Sequence, residues 1–284
     1  MESAYLNTRS ATVQSFILCR DDYTCVKRGN DLRRRVAADE PVYGASVATY
    51  SPAAVEAFGA VGLDFVWLDF EHGGPSPYDS TVFEDLTRAA EVADVELFVR
   101  LPSGEPSLVR KVLDAGVKTI LIPRVETATE VREAVAAAKF AIDGEPADRG
   151  IGVGRTSTWG HDFSGYAATE DAETFVGVMI ENEIAVENID EILDVSGLGF
   201  AFLGSADLSV SVGRPMEKDH PDVAALVDRA ETAISESDVA LAGIHNDPEA
   251  VREAVDAGYR IVRMGGDLSA ARTVLSDRLA VVDD

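Results

Sequence analysis

Six ionisable residues stand where this chain could do acid-base or electrophilic chemistry. Asp69, Glu71 and His72 follow an apolar run in FVWLDFEHGGP, Arg100 closes ELFVR, Glu181 closes FVGVMIE, and Asp207 lies within FLGSADLS. His72 has the side chain suited to a general base near neutral pH, and Asp69 beside it could hold the imidazole in orientation. Glu71 reads as structural. Arg100 offers a fixed guanidinium for an enolate oxygen and a keto acid. Glu181 and Asp207 have no Cys or paired His near them, a donor set for a hard divalent ion such as Mg2+ or Mn2+ and a poor one for zinc. In GSADLS, Gly204, Ser205, Ala206 and Asp207 open a helical turn whose main-chain N–H groups could hold a substrate carboxylate; capping by Ser205 explains that stretch equally well. For any one of these residues a structural ion pair, such as a carboxylate with Arg100, is the commoner outcome, but all of them at one rim argue for a site.

Positioning them at one rim requires a particular succession of elements. A short basic-faced helix is predicted over 31–39 and a first strand over 42–49, and strands follow at 65–69, 96–100, 119–123, 175–181, 199–204, 240–244 and 261–264. Helices are predicted between them, with a long Gly-rich loop before 175 and a last helix over 268–281. Eight strands alternating with eight helices indicate an α/β fold, a single (β/α)8 TIM barrel, with a doubly wound open sheet as the alternative. Three helix-to-strand joints repeat one phrase, AVGLDFVWL, DAGVKTILI and DAGYRIVRM, in which Gly stops a helix two residues before an apolar strand. The recurrence favours closure, and a closed barrel carries its active site at the carboxyl ends of the strands. Residues 1–30 show no periodicity and read as a flexible extension or a start site assigned too early, leaving 31–284 as the barrel domain.

The charge balance restricts partners. Fifty acidic residues against 25 basic give a formal charge of -25, a field that repels nucleic acid and anionic membranes. Spread along the chain, the excess indicates a hydrated surface suited to high salt. No apolar run approaches a membrane span and nothing resembles a signal peptide, so a cytoplasmic protein is expected. Cys19 and Cys25 form no metal or disulfide pattern. The five lysines, Lys27, Lys111, Lys118, Lys139 and Lys218, fall in the extension, on helices or in loops, so no Schiff-base lysine is expected at a strand end. RGIGVG at 149–154 neither follows a strand nor opens a helix, and no nucleotide is expected there.

Taken together, LDFEHGGPS, VRLP, RGIGVGRTSTWG, VMIENEIAVENIDEIL and FLGSADLSVSVG resemble, in order and over about 31–280, the HpcH/HpaI aldolases, class II pyruvate aldolases typified by 4-hydroxy-2-oxoheptanedioate (2,4-dihydroxyhept-2-ene-1,7-dioate) aldolase. The resemblance implies a TIM barrel of the phosphoenolpyruvate/pyruvate type, commonly a hexameric trimer of dimers that exchange the last helix, and a role of the kind found in aromatic compound catabolism. It implies His72 as base with Asp69 beside it, Arg100 on the keto and enolate oxygen, and Glu181 and Asp207 on the metal, Mg2+ or Mn2+ with Co2+ a further candidate. The implied reaction cleaves a 4-hydroxy-2-oxo acid reversibly to an aldehyde and a metal-bound pyruvate enolate. Met179 stands where members often have Gln, and Ser205 where they have Pro, departures that bear on aldehyde specificity. The alternative is a related carbon-carbon lyase of the citrate lyase β or acyl-CoA lyase type, or an oxaloacetate-type decarboxylase. An acyl-CoA partner would call for a basic surface that this chain hardly offers.

Overall fold

The structure, a computed structural model, describes residues 29–161 and 163–283. Eight parallel strands close into a barrel in the order β1-β10-β9-β8-β7-β4-β3-β2. They are β1 (Val42–Ser46), β2 (Phe65–Asp69), β3 (Glu96–Arg100), β4 (Thr119–Ile122), β7 (Phe175–Ile180), β8 (Leu198–Leu203), β9 (Ala240–Ile244) and β10 (Tyr259–Gly266), while β5 (Ala141–Ile142) and β6 (Glu145–Pro146) form a separate small hairpin. The expected TIM barrel is therefore the fold, and the open sheet is excluded by the β1–β10 pairing that closes it. Among the described residues no helix is long and apolar enough to cross a membrane.

Two apolar layers hold the barrel. Between strands and helices lies a shell of aliphatic residues, among them Val66, Leu68, Val99, Ile120, Val178 and Ile180. The barrel interior is instead aromatic, with Phe65, Trp67, Phe98, Phe175, Phe200 and Phe202 all buried. Trp67 stacks on Phe98 at 4.8 Å between ring centroids, and Phe175 meets Phe200 at 4.8 Å. Rings of this size fit because glycines face them: a Cβ on Gly44 would lie 2.3 Å from Phe65, and one on Gly177 2.1 Å from Phe200. Substitution at either glycine would force overpacking of the interior.

The three repeated joints behave as predicted, with Gly62, Gly116 and Gly258 at φ 91°, 108° and 104°, a region that a Cβ disfavours. The first helix, Asp31–Ala37, places Leu32 and Val36 against the barrel interior. Asn30, assigned above to the extension, is buried, caps this helix and donates to Thr119 Oγ1 at 2.9 Å, so it belongs to the barrel body. Residues 1–28 of the expected extension, with Cys19, Cys25 and Lys27 among them, lie outside the described residues. Strand ends differ modestly from expectation: β1 stops at Ser46, and β10 runs on to Gly266 because it pairs with β1 there. The Gly-rich loop contains an unpredicted helix, Tyr166–Glu173, whose Glu170 makes a 3.2 Å ion pair with the buried Arg149. RGIGVG is thus tied down by its arginine.

Candidate active site

Alternation along β2 and β3 directs Trp67, Asp69, Phe98 and Arg100 into the barrel, and Asp69 is in register with Arg100. The two side chains therefore meet at the carboxyl-end mouth. Arg100 Nε donates to Asp69 Oδ1 at 2.9 Å while Nη2 donates to Oδ2, a bidentate grip. Arg100 Nη1 lies 3.1 Å from Glu71 Oε2, an ion pair without a hydrogen bond, and also donates to Met179 Sδ at 3.6 Å. Burial alone would push the Asp69 carboxyl up, but the hydrogen bond and charge of Arg100 outweigh it and hold it below the ordinary carboxylate range. Glu71 goes the other way, because burial raises it more than Arg100 lowers it.

The expected pairing of Asp69 with the His72 imidazole is not formed. Asp69 Oδ1 accepts the main-chain N–H groups of Glu71 at 3.1 Å and His72 at 3.4 Å, which folds the turn, while the His72 ring is largely exposed with Nε2 3.6 Å from Glu71 Oε2. The reason is competition, since Arg100 offers two aligned N–H donors where the imidazole could offer one. Asp69 thus shapes the turn that carries His72 and fixes Arg100, and Glu71, read above as merely structural, is the carboxylate nearest the imidazole. Tyr50 Oη donates to the Asp69 carbonyl, and its ring packs where a Cβ on Gly74 would fall, so the turn is braced from β1's side.

Glu181 follows β7 and is buried, with Oε1 accepting the Arg124 N–H at 2.6 Å. Arg124, which the sequence reading did not single out, has φ 58°, and this turn aims its N–H at the carboxylate. Burial pushes Glu181 up to about 7; the Arg124 hydrogen bond opposes this, and the charges of Asp207 and Glu71 add to it. Gly204 lets Glu181 come close, since a Cβ there would lie 2.7 Å from the Glu181 Cβ. Gly204 is itself the cap of the helix Ser205–Ser211, with no side-chain capping bond, so Ser205 does not cap it. Asp207 is exposed in the first turn of that helix. Among the described residues no cluster of three or more His, Cys, Asp or Glu side chains could hold a metal. The donor chemistry nonetheless fits a hard divalent cation. The Asp207 charge disfavours ionisation of Glu181, a strain that a cation between the two would relieve, and Mg2+ or Mn2+ completes its shell with water and substrate oxygens.

One cavity of about 430 Å³ joins these elements, lined by Trp67, His72, Arg100, Met179, the 204–207 turn, His245 and Arg263 among others. Two of these were missed. Arg263 sits within the IVRMGG strand, treated above as apolar filling, and His245 directly follows β9, so His72 is not alone among histidines at a strand end. The strand-end rule applied to every strand would have found both. Lys218 reaches the cavity edge from an exposed loop, whereas Lys139 is buried near the start of β7, donating to the Thr174 carbonyl at 2.7 Å, with burial pushing it down to about 8. That places Lys139 at the opposite end of the barrel.

Comparison with known proteins agrees with this arrangement. Residues 43–273 match the family described as HpcH/HpaI aldolase/citrate lyase. The hydroxypyruvate/pyruvate aldolase of Roseobacter denitrificans is 33% identical over 84% of this chain and 92% of its own length. The 2-keto-3-deoxy-L-rhamnonate aldolase of Klebsiella pneumoniae is 31% identical over 89% and 92%. A crystal structure of a family protein from Burkholderia cenocepacia superposes with a TM-score of 0.83 at 30% identity, covering 90% of this chain and all of that one. With aldolases among its relatives over nearly the whole barrel, this chain is a lyase-type enzyme and belongs to the HpcH/HpaI aldolase/citrate lyase family.

Proposed function

We propose that the chain is a divalent-metal-dependent class II aldolase that reversibly cleaves a 4-hydroxy-2-oxo acid to pyruvate and an aldehyde. The observation that carries this reading is the Arg100 guanidinium, held in one orientation by Asp69 and opening with His72 and the 204–207 turn onto a single cavity. The relatives named hydroxypyruvate/pyruvate aldolase and 2-keto-3-deoxy-L-rhamnonate aldolase support the same class of reaction.

In cleavage, His72 takes the proton from the C4 hydroxyl. The C3–C4 bond breaks as the C4 oxygen forms the aldehyde carbonyl, and the electron pair passes to the 2-oxo oxygen as pyruvate enolate. Arg100, already fixed, stabilises that oxygen without reorganising. Protonation at C3 then gives pyruvate. The main-chain N–H groups of Ala206 and Asp207 hold the substrate carboxylate. Glu181 and Asp207 would hold the divalent ion, which supplies Lewis-acid polarisation of the 2-oxo group when bound. Such a base contributes on the order of 10² to 10⁴ in rate, so His72→Ala is expected to lower kcat by that range. The assay is pyruvate release from a 4-hydroxy-2-oxo acid with Mg2+ or Mn2+. Undiminished turnover in excess chelator, or trapping of the enzyme by borohydride, overturns the reading.

A further inference from the structure

The second arginine of the mouth is unlike the first. Arg263 shares the β10 face of Ile261, which packs in the barrel interior, so its side chain enters the cavity. Its guanidinium carbon lies 5.8 Å from the Trp67 ring centroid, and that of Arg100 lies 5.7 Å from the same ring. One indole thus carries two cations. Arg100 is compensated by Asp69 and Glu71. Arg263 forms no such pair among the described residues, and its Nε is buried without a hydrogen-bond partner. In a chain with twice as many acidic as basic residues, a carboxylate neighbour is what composition alone would supply. Burial and then the nearby Arg100 charge disfavour its ionised form and outweigh the opposing pull of the Asp69 charge, which is already paired with Arg100, and a desolvated donor left unpaired is costly until an acceptor arrives.

Its place in the barrel says which part of a substrate it meets. In the closed order, β10 lies across from β4, whose following turn holds Glu181. A pyruvyl group against Arg100, Glu181 and the 204–207 turn leaves Arg263 facing the remaining cavity. The other charged groups on that side are Glu231, whose Oε1 already accepts the Tyr259 hydroxyl at 2.5 Å, and Lys218 at the exposed edge. His245, half-buried beside Tyr259, adds a further polar atom.

We infer that Arg263 is a specificity-determining residue that binds a carboxylate at the far end of the aldehyde half, so the preferred acceptor is an aldehyde acid. This rests on the aldolase reading above. Guanidinium and carboxylate match in a two-point geometry that a neutral aldehyde cannot use.

The test compares kcat/KM in the condensation direction, pyruvate with succinic semialdehyde against pyruvate with butanal, in the wild type, Arg263→Met and Arg263→Lys. The wild type is expected to favour the aldehyde acid, and Arg263→Met to lower the ratio of the two values tenfold or more, with Arg263→Lys between. Equal losses on both aldehydes would mean that Arg263 only props Trp67 and would overturn the inference, as would an unchanged ratio. Preference for glyceraldehyde 3-phosphate over both would overturn the carboxylate assignment. In parallel, succinate and butyrate are titrated onto wild type and Arg263→Met by calorimetry. If no aldehyde condenses, the aldolase reading fails by itself, and this titration still decides: tighter succinate binding that Arg263→Met abolishes sustains the anion site, and equal binding removes it.

Discussion

Glu181→Gln is expected to stabilise the metal-free protein at alkaline pH while removing its response to divalent ions. The wild-type carboxyl titrates near 4.5 when unfolded and at about 7 when folded, chiefly because it is buried, with Asp207 adding repulsion. A raised acid pKa means that the folded state holds the proton more tightly. Stability is therefore unaffected by this group below about pH 4.5, falls as pH rises from there through 7, and is fully reduced above. The reduction amounts to about 3 kcal/mol. Gln keeps an oxygen for the Arg124 N–H and carries no charge. In urea denaturation with chelator present, the variant is expected to exceed wild type by about 2 to 3 kcal/mol at pH 8.5, with the difference closing towards pH 4.5. Added Mn2+ is then expected to raise the wild-type midpoint and leave the variant unmoved, by mass action on the folded state. A difference that does not vary with pH, or a variant less stable than wild type at pH 8.5, would refute the reasoning from burial and repulsion.

Asp69→Asn leaves the turn N–H groups an acceptor but loosens Arg100. With charge-assisted hydrogen bonds contributing about 1.5–3 kcal/mol, kcat/KM for cleavage is expected to fall roughly 10- to 150-fold with the circular dichroism spectrum retained. On the last helix, Asp267–Asp283, Leu268, Leu275 and Leu279 are exposed, and we propose that partner chains cover it in a hexamer built as a trimer of dimers. Leu275→Glu with Leu279→Glu is then expected to lower the mass seen by light scattering, and an unchanged monomer in both proteins would sink the proposal. The charge of -25 predicts that dilution from molar salt to about 0.05 M lowers the thermal midpoint by several degrees, as longer-range repulsion is unscreened; a midpoint independent of salt would contradict a high-salt surface.

Much of the barrel was legible because its signals are local. Gly stops at Gly62, Gly116 and Gly258, the apolar runs that follow them and the caps between them are set by neighbouring residues, and they suffice for eight strands and their order. Strand-end position likewise brought Asp69, Arg100, Glu181 and Asp207 onto one rim. Pairing at that rim was not legible. Whether Asp69 serves His72 or Arg100 depends on the β2–β3 register and on which donor has better geometry, and the structure gives the carboxylate to Arg100. Arg263 was passed over because it sits within a stretch read for its strand, and His245 because it lies just past one; the closed barrel brings both to the cavity, with Arg263 beside Trp67.

The sequence by itself determined the alternation of elements, the acidic surface and the residue types available at FVWLDFEHGGP, because propensity, capping and charge are properties of short segments. Tertiary structure alone decided that Glu181 lies buried against Arg124 with its carboxyl raised to about 7, that Asp69 is spent on Arg100, and that a second arginine faces the same cavity without a carboxylate partner among the described residues. Those outcomes depend on burial and on distances between residues far apart in the chain, which no local pattern encodes.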